Sequence, residues 1–274
     1  MTDPTKNHSY NITIQCALDG FCFVIHDLDE HKIIDIVNYQ TAESDDPTAI
    51  MELLVKALSE KGYLEKPFQE ARFIVENRVS AIVPEPLFDE TQRETYLQFN
   101  HPLDDSCELF QETVPALQSV NVFGAPTLLL NRFRGIWPNL KVTHETTVFL
   151  NSIMKEEPFE SDTNAYILVK SRNFDLAVVK ERRLVYYNNF KFNTKDDFAY
   201  FLMFALQQHG FSNNIPVYFT GLITPNAEIV KLCERYLQRI RFIRPDGSVN
   251  VDMALNSTPF QYYYIPYKSL SCES

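Results

Sequence analysis

Glycine is scarce in this chain. Seven occur in 274 residues, well under half of the usual share of about 7%, and none stands in a G-x-G or Gly-Gly pair. Phosphate cradles need backbone N–H groups at φ values that side chains forbid, so nucleotide loops concentrate glycine, and this chain has no such concentration. Cysteine is present but unorganised: Cys16, Cys22, Cys107, Cys233 and Cys272 form an odd, scattered set without a C-x-x-C pair. That argues against a disulfide framework and a zinc site, and for reduced thiols. Basic charge is in deficit, 25 Lys and Arg against 36 Asp and Glu, a net charge of −11. Such a surface repels a phosphate backbone, so no nucleic-acid partner is expected. No stretch approaches the ~18 apolar residues of a membrane helix, and MTDPTKNHSYN lacks the basic patch and apolar run of a signal peptide. No membrane insertion and a cytoplasmic location are expected.

What is present is pattern. Hydrophobic residues make up 45% of the chain, enough for one large core or two ordinary ones. After a flexible start, residues 1–9, the segments Tyr10 to Cys16, Phe21 to Asp27 and Lys32 to Tyr39 read as strands, with Asp19-Gly20 closing the first hairpin. Apolar residues at helical spacing predict a helix from Pro47 to about Lys61, and Ala71 to Glu76 reads as a fourth strand. The same order returns after the acidic stretch KEEPFESD, 155 to 162, which has linker composition. Strands are predicted at Asn164 to Lys170, Phe174 to Lys180 and Leu184 to Phe190, then a helix from Lys195 to His209 and a strand Pro216 to Phe219. A helix from Pro225 to about Tyr236, with Thr224 as its cap, and a strand Ile240 to Ile243 complete the second copy. The turns correspond as well: Asp19-Gly20-Phe21 matches Arg172-Asn173-Phe174, and Gly and Asn both tolerate positive φ.

The first copy carries extra material from about Val79 to Gly124. It is read as a helix, Glu85 to about Gln98, and two strands, CELFQETV and LQSVNVF. APTLLLNRFRGIW and THETTVFLNSIM follow as helices flanking the segment LKV.

A duplicated three-strand meander followed by a helix and parallel strands resembles the ribonuclease-H-like halves of the actin-like ATPase fold. More closely, ITIQCALDGFCFVIHD, VPEPLF, YLQFN, NVFGAPTLLL and VYFTG resemble a bacterial family of about this length that has this fold and no established activity. The resemblance implies a mixed α/β architecture of two ribonuclease-H-like lobes, 10–157 and 158–264, with a small α/β insertion at 79–124 and a tail at 265–274. It also implies where a nucleotide would sit. In the ATPases the first hairpin reads Asp-x-Gly-Thr, the Asp organising magnesium and the Gly and Thr amides holding phosphate. Here Leu18 stands at the Asp position, Asp19 at the variable one, Gly20 matches, and Phe21 replaces the hydroxyl residue. The second hairpin, expected to read Asp-x-Gly, is Ser171-Arg172-Asn173. The adenosine signature Thr-Gly-Gly survives as Thr220-Gly221-Leu222.

Other candidates reduce to ordinary structure. HETTV lacks the second histidine of a zinc helix, so His144-Glu145 reads as a plain helix start. The sequence places no Ser, Cys or Lys partner beside His26-Asp27, which reads as core or rim packing, and Lys170, Arg172, Lys180, Arg182 and Arg183 read as two solvated turns. Thr224-Pro225, beyond the carboxyl end of a strand, is where open α/β sheets bind ligands. The expectation is a non-catalytic binding or scaffolding module. No catalytic residue, metal or cofactor is assigned, and Asp19, Gly20, Arg172, Asn173, Thr220, Gly221 and Thr224 line a degenerate nucleotide cleft. A protein partner is expected at the insertion, 79–124. The alternative is a divergent ATPase or kinase that uses ATP and magnesium in the same cleft.

Overall fold

A computed structural model describes residues 9–41, 47–100, 103, 106–155 and 161–271. Most of the KEEPFESD stretch, the acidic pair Asp104-Asp105 and Cys272 lie outside the described residues. The chain opens with β1 (Tyr10–Ala17), β2 (Gly20–Asp27), β3 (Lys32–Gln40), α1 (Pro47–Glu60) and β4 (Glu70–Val75). The insertion supplies β5 (Ser80–Pro84), α2 (Arg93–Gln98), β6 (Cys107–Val114) and β7 (Ser119–Pro126). Then come α3 (Thr127–Arg134), β8 (Lys141–His144) and α4 (Glu145–Lys155). The second copy runs β9 (Thr163–Val169), β10 (Asn173–Lys180), β11 (Arg183–Lys191), α5 (Lys195–Gln208), β12 (Val217–Gly221), α6 (Glu228–Cys233) and β13 (Ile240–Phe242). β14 (Asn250–Val251) and α7 (Tyr264–Ser271) follow.

The repeat read from the sequence is a repeat in space. One sheet has the order β14-β3-β2-β1-β4-β8 and the other β11-β10-β9-β12-β13. β1 pairs antiparallel with β2 and parallel with β4, as β9 does with β10 and β12. β14 crosses back to lie parallel beside β3, Asn250 opposite Lys32. The insertion folds as its own sheet, β5-β7-β6.

β2 is buried along its whole length, and strand alternation divides its side chains between two cores. Phe21, Phe23 and Ile25 face α1 and α3, with Leu54 and Phe133. Cys22 and Val24 face a central layer between the two main sheets, where α4 (Phe149, Ile153) and α7 (Tyr264, Tyr267) meet Leu168 and Val179. A third core, around Phe174, Phe198 and Phe219, backs the second sheet. The terminal stretch expected as a tail therefore carries α7 into the centre. Arg72 from β4 donates to the Ser269 carbonyl and pairs with Glu70 at 2.7 Å, while Lys268 pairs with Asp246 at 2.8 Å.

Several elements differ from expectation. The long insertion helix is instead two isolated 3-10 turns, Glu85–Leu87 and Glu90–Gln92, followed by the short α2. Pro84 and Pro86 favour extended neighbours, and Asp89 restarts the chain by accepting from Thr91 N. β5 has no counterpart in the prediction. LKV lengthens into β8 and takes in Thr143 and His144, which were expected in a helix. α6 begins at Glu228 rather than Pro225, because Thr224–Ala227 closes a turn through Ala227 N to Thr224 O at 3.0 Å. Thr224 is therefore no helix cap.

Candidate functional site

The carboxyl ends of β1, β4, β9 and β12 converge between the two main sheets, the position where open α/β sheets bind ligands. Two hairpins frame the opening. The first is Ala17 to Gly20, and the second joins β9 to β10 through Ser171 and Arg172. They touch: Ser171 Oγ donates to Asp19 Oδ2. A cavity of about 390 Å³ lies beside this contact, bordered by Leu18, Asp19, Glu76, Lys170, Arg172 and Asn173. A second void, about 30 Å³, reaches Gly20, Gly221, Tyr262 and Ile265.

Backbone packing explains both glycines that survive from the nucleotide motifs. A Cβ on Gly20 would lie 2.5 Å from the Tyr39 carbonyl oxygen. Gly20 is not among the residues with positive φ, and neither is Asn173, so the turns do not use the left-handed region expected of them. Gly221 does use it, at φ +90, and a Cβ there would overlap the Val169 carbonyl. The next amide, Leu222 N, is spent on that same Val169 oxygen at 2.7 Å. Phe21 is buried and stacks on Tyr39 with centroids 5.2 Å apart, so the position of the phosphate-binding hydroxyl belongs to the core.

The floor of the cleft is a buried ion cluster. Lys170, 6% exposed, pairs with Glu145, fully buried, and with Asp175 at 2.8 Å. Glu76 stands close by and accepts from Gln15 Nε2 at 2.6 Å. Burial works against the Lys170 charge, but Asp175, Glu145 and Glu76 overcome it and hold the ammonium pKa well above its usual value. Burial raises the Glu145 carboxyl well above the ordinary range, and Lys170 opposes the rise. Glu76 shifts upward for the same reasons, with Asp19 adding to the rise. Several carboxylates thus share one ammonium, and the raised Glu145 and Glu76 values express burial that this single charge offsets only in part. Beside them His144 is buried, its pKa lowered to about 3 by burial and then by the Lys170 charge.

The structure brings Asp19, Gly20, Arg172, Asn173 and Gly221 to these two cavities. Thr220 is fully buried, its hydroxyl unpartnered among the described residues, and Thr224 borders neither cavity. Sequence reasoning missed the cluster. From sequence alone Lys170 belongs with the solvated turns and Glu145 with an ordinary helix start. The available signal was a lysine and an aspartate bracketing one hairpin inside apolar runs, LVKSRNFDLAV, together with an acid in the first turn of a helix that follows a strand. The His26-Asp27 pair is structural: Asp27 Oδ1 caps the next turn by accepting from Asp29 N and Glu30 N, each at 3.0 Å.

Two sheets of matching strand order around a cleft define the actin-like ATPase fold. The comparisons agree. A Bacteroides thetaiotaomicron protein of actin-like ATPase fold and unknown function superposes at TM-score 0.78 with 17% identity, covering 100% of both chains. A PilM-PilN type IV pilus biogenesis complex matches at TM-score 0.65 and 10% identity, over 94% of this chain and 96% of the other. The ethanolamine utilization protein EutJ from Carboxydothermus hydrogenoformans matches at TM-score 0.50 and 8% identity, over 88% and 86%. No curated protein matches the chain. The chain belongs to the family described as Protein of unknown function (DUF3822), whose model matches residues 1–240.

Proposed function

We propose that this protein is a non-catalytic binding or scaffolding module of the cytoplasm, in which the inter-lobe cleft has become part of the fold. The observation that carries this reading is the buried cluster: Lys170 supplies the cleft carboxylates with the positive charge that a metal would otherwise bring. The Ser171 to Asp19 contact supports it by joining the hairpins that would have to hold a phosphate. The same reading includes a protein partner at the insertion, 79–124, because the second copy of the strand pattern does without that segment. A structural neighbour comes from a PilM-PilN type IV pilus biogenesis complex, which favours this role.

One observation favours a second reading, a nucleotide-dependent ATPase or kinase: Asp19, Glu76 and Glu145 converge on a single cavity. Calorimetry with Mg-ATP separates the two. The scaffolding reading expects no affinity better than about 1 mM, or roughly −4 kcal/mol. Micromolar binding, or turnover that disappears with Asp19→Ala, would establish the enzyme instead.

A further inference from the structure

One face of the insertion sheet lies against an open edge of the six-stranded sheet, with Glu112, Asn121 and Phe123 reaching His144 and Thr147. β6 is an outer strand of β5-β7-β6, and β8 is one of the two outer strands of the six-stranded sheet. Between them runs a groove of about 600 Å³, bordered by Thr113 of β6, Lys141 and Val142 of β8, and Asn151 and Lys155 of α4. The His144 N–H, at the end of β8, is taken by Glu112 Oε2 of β6 at 3.0 Å, so it points away from β4. Backbone groups of alternate residues in a strand share a direction, so Val142 N–H and C=O also face the groove. Arg72, Lys141 and Lys155 outnumber Glu112 along the walls, in a molecule of net charge −11. Glu70 pairs with both Arg72 and Lys141.

We propose that this groove binds an extended peptide segment bearing acidic side chains. The segment adds a strand at the β8 edge through Val142 and sets carboxylates against Lys141 and Lys155. β8 has four residues, so the paired portion is short, roughly 13 Å at about 3.3 Å per residue. The proposal rests on the reading of the insertion as a docking element and names the partner's chemistry.

The test is a titration of the isotope-labelled full chain, followed by NMR, with acetyl-Glu-Val-Glu-Val-Glu-amide and with its lysine counterpart. Binding in the millimolar range is expected for the glutamate peptide, with shifts at Val142 and Thr143. Val142→Pro removes the outward N–H from an edge position where proline is tolerated, and should weaken binding at least tenfold at unchanged melting. Lys141→Glu with Lys155→Glu should reverse the preference between the peptides, and carries the test if the proline variant melts early. No shift with the glutamate peptide, equal shifts with both, or shifts centred on Asp19 and Lys170 would overturn the proposal. Such a failure would leave the non-catalytic reading intact, because Mg-ATP calorimetry decides that separately.

Discussion

At the scale of single residues, His144 shows how burial selects a protonation state. Its Nδ1 accepts from Thr146 N at 3.1 Å and its Nε2 faces Asn77 Oδ1 at 3.3 Å, so the neutral ring with hydrogen on Nε2 satisfies both neighbours. Its folded pKa of about 3 lies below the ordinary 6.5. The stability it contributes is therefore complete above pH 6.5 and is lost as pH falls through that value toward 3. By pH 4 the loss reaches about 3 kcal/mol. Glu76 has the opposite sign, since a raised carboxyl pKa favours the folded state as pH falls. Comparing variants isolates the histidine: His144→Asn is expected to flatten urea-derived stability between pH 6.5 and 4 by about that amount. Parallel curves for the two proteins would contradict a buried neutral ring.

Among the elements, the β10–β11 hairpin turns on Glu181 and Arg182, with φ of 50 and 61. Both central residues are left-handed, as in a type I′ turn, yet neither is Gly, Asn or Asp. Left-handed conformations cost ordinary residues about 1–2 kcal/mol, so Glu181→Asn is expected to raise stability by roughly 0.5–1 kcal/mol in chemical denaturation. A neutral or destabilising result would mean that the glutamate side chain makes a contribution of its own. The strand pattern itself was legible because β-branched and aromatic runs and turn residues are local signals, and both meanders were read to within a residue or two. β5 was hidden in ordinary-looking chain between the strand before it and two prolines, and becomes a strand only by pairing with β7. α7 was hidden by Pro266 and a run of tyrosines, residues with poor helix propensity that tertiary burial overrides. The cleft shows the same division. Its hairpins could be located from local pattern, whereas Lys170, Glu145, Asp175 and Glu76 lie 76 to 175 along the chain and declare themselves only when the two sheets meet.

For the whole molecule, the cluster is also the joint. Glu145 begins the helix that leaves the first sheet, while Lys170 and Asp175 flank the first hairpin of the second. Lys170→Met leaves two buried carboxylates without a cation and is expected to cost about 3–5 kcal/mol. Adding Glu145→Gln and Asp175→Asn should recover a good part of it; a loss under about 1 kcal/mol for the single change would remove the cluster from its structural role. β14 carries a consequence for biosynthesis. The six-stranded sheet starts at Tyr10, yet the strand that covers β3 is Asn250–Val251, so the entire second sheet must be synthesised before the first has its β3 edge covered. On the ribosome, β3 emerges early and stays unpaired on that side while some two hundred residues follow it. The nascent chain thus exposes an adhesive margin for most of its synthesis, and folding must end, rather than begin, with the sheet that comes first in the sequence.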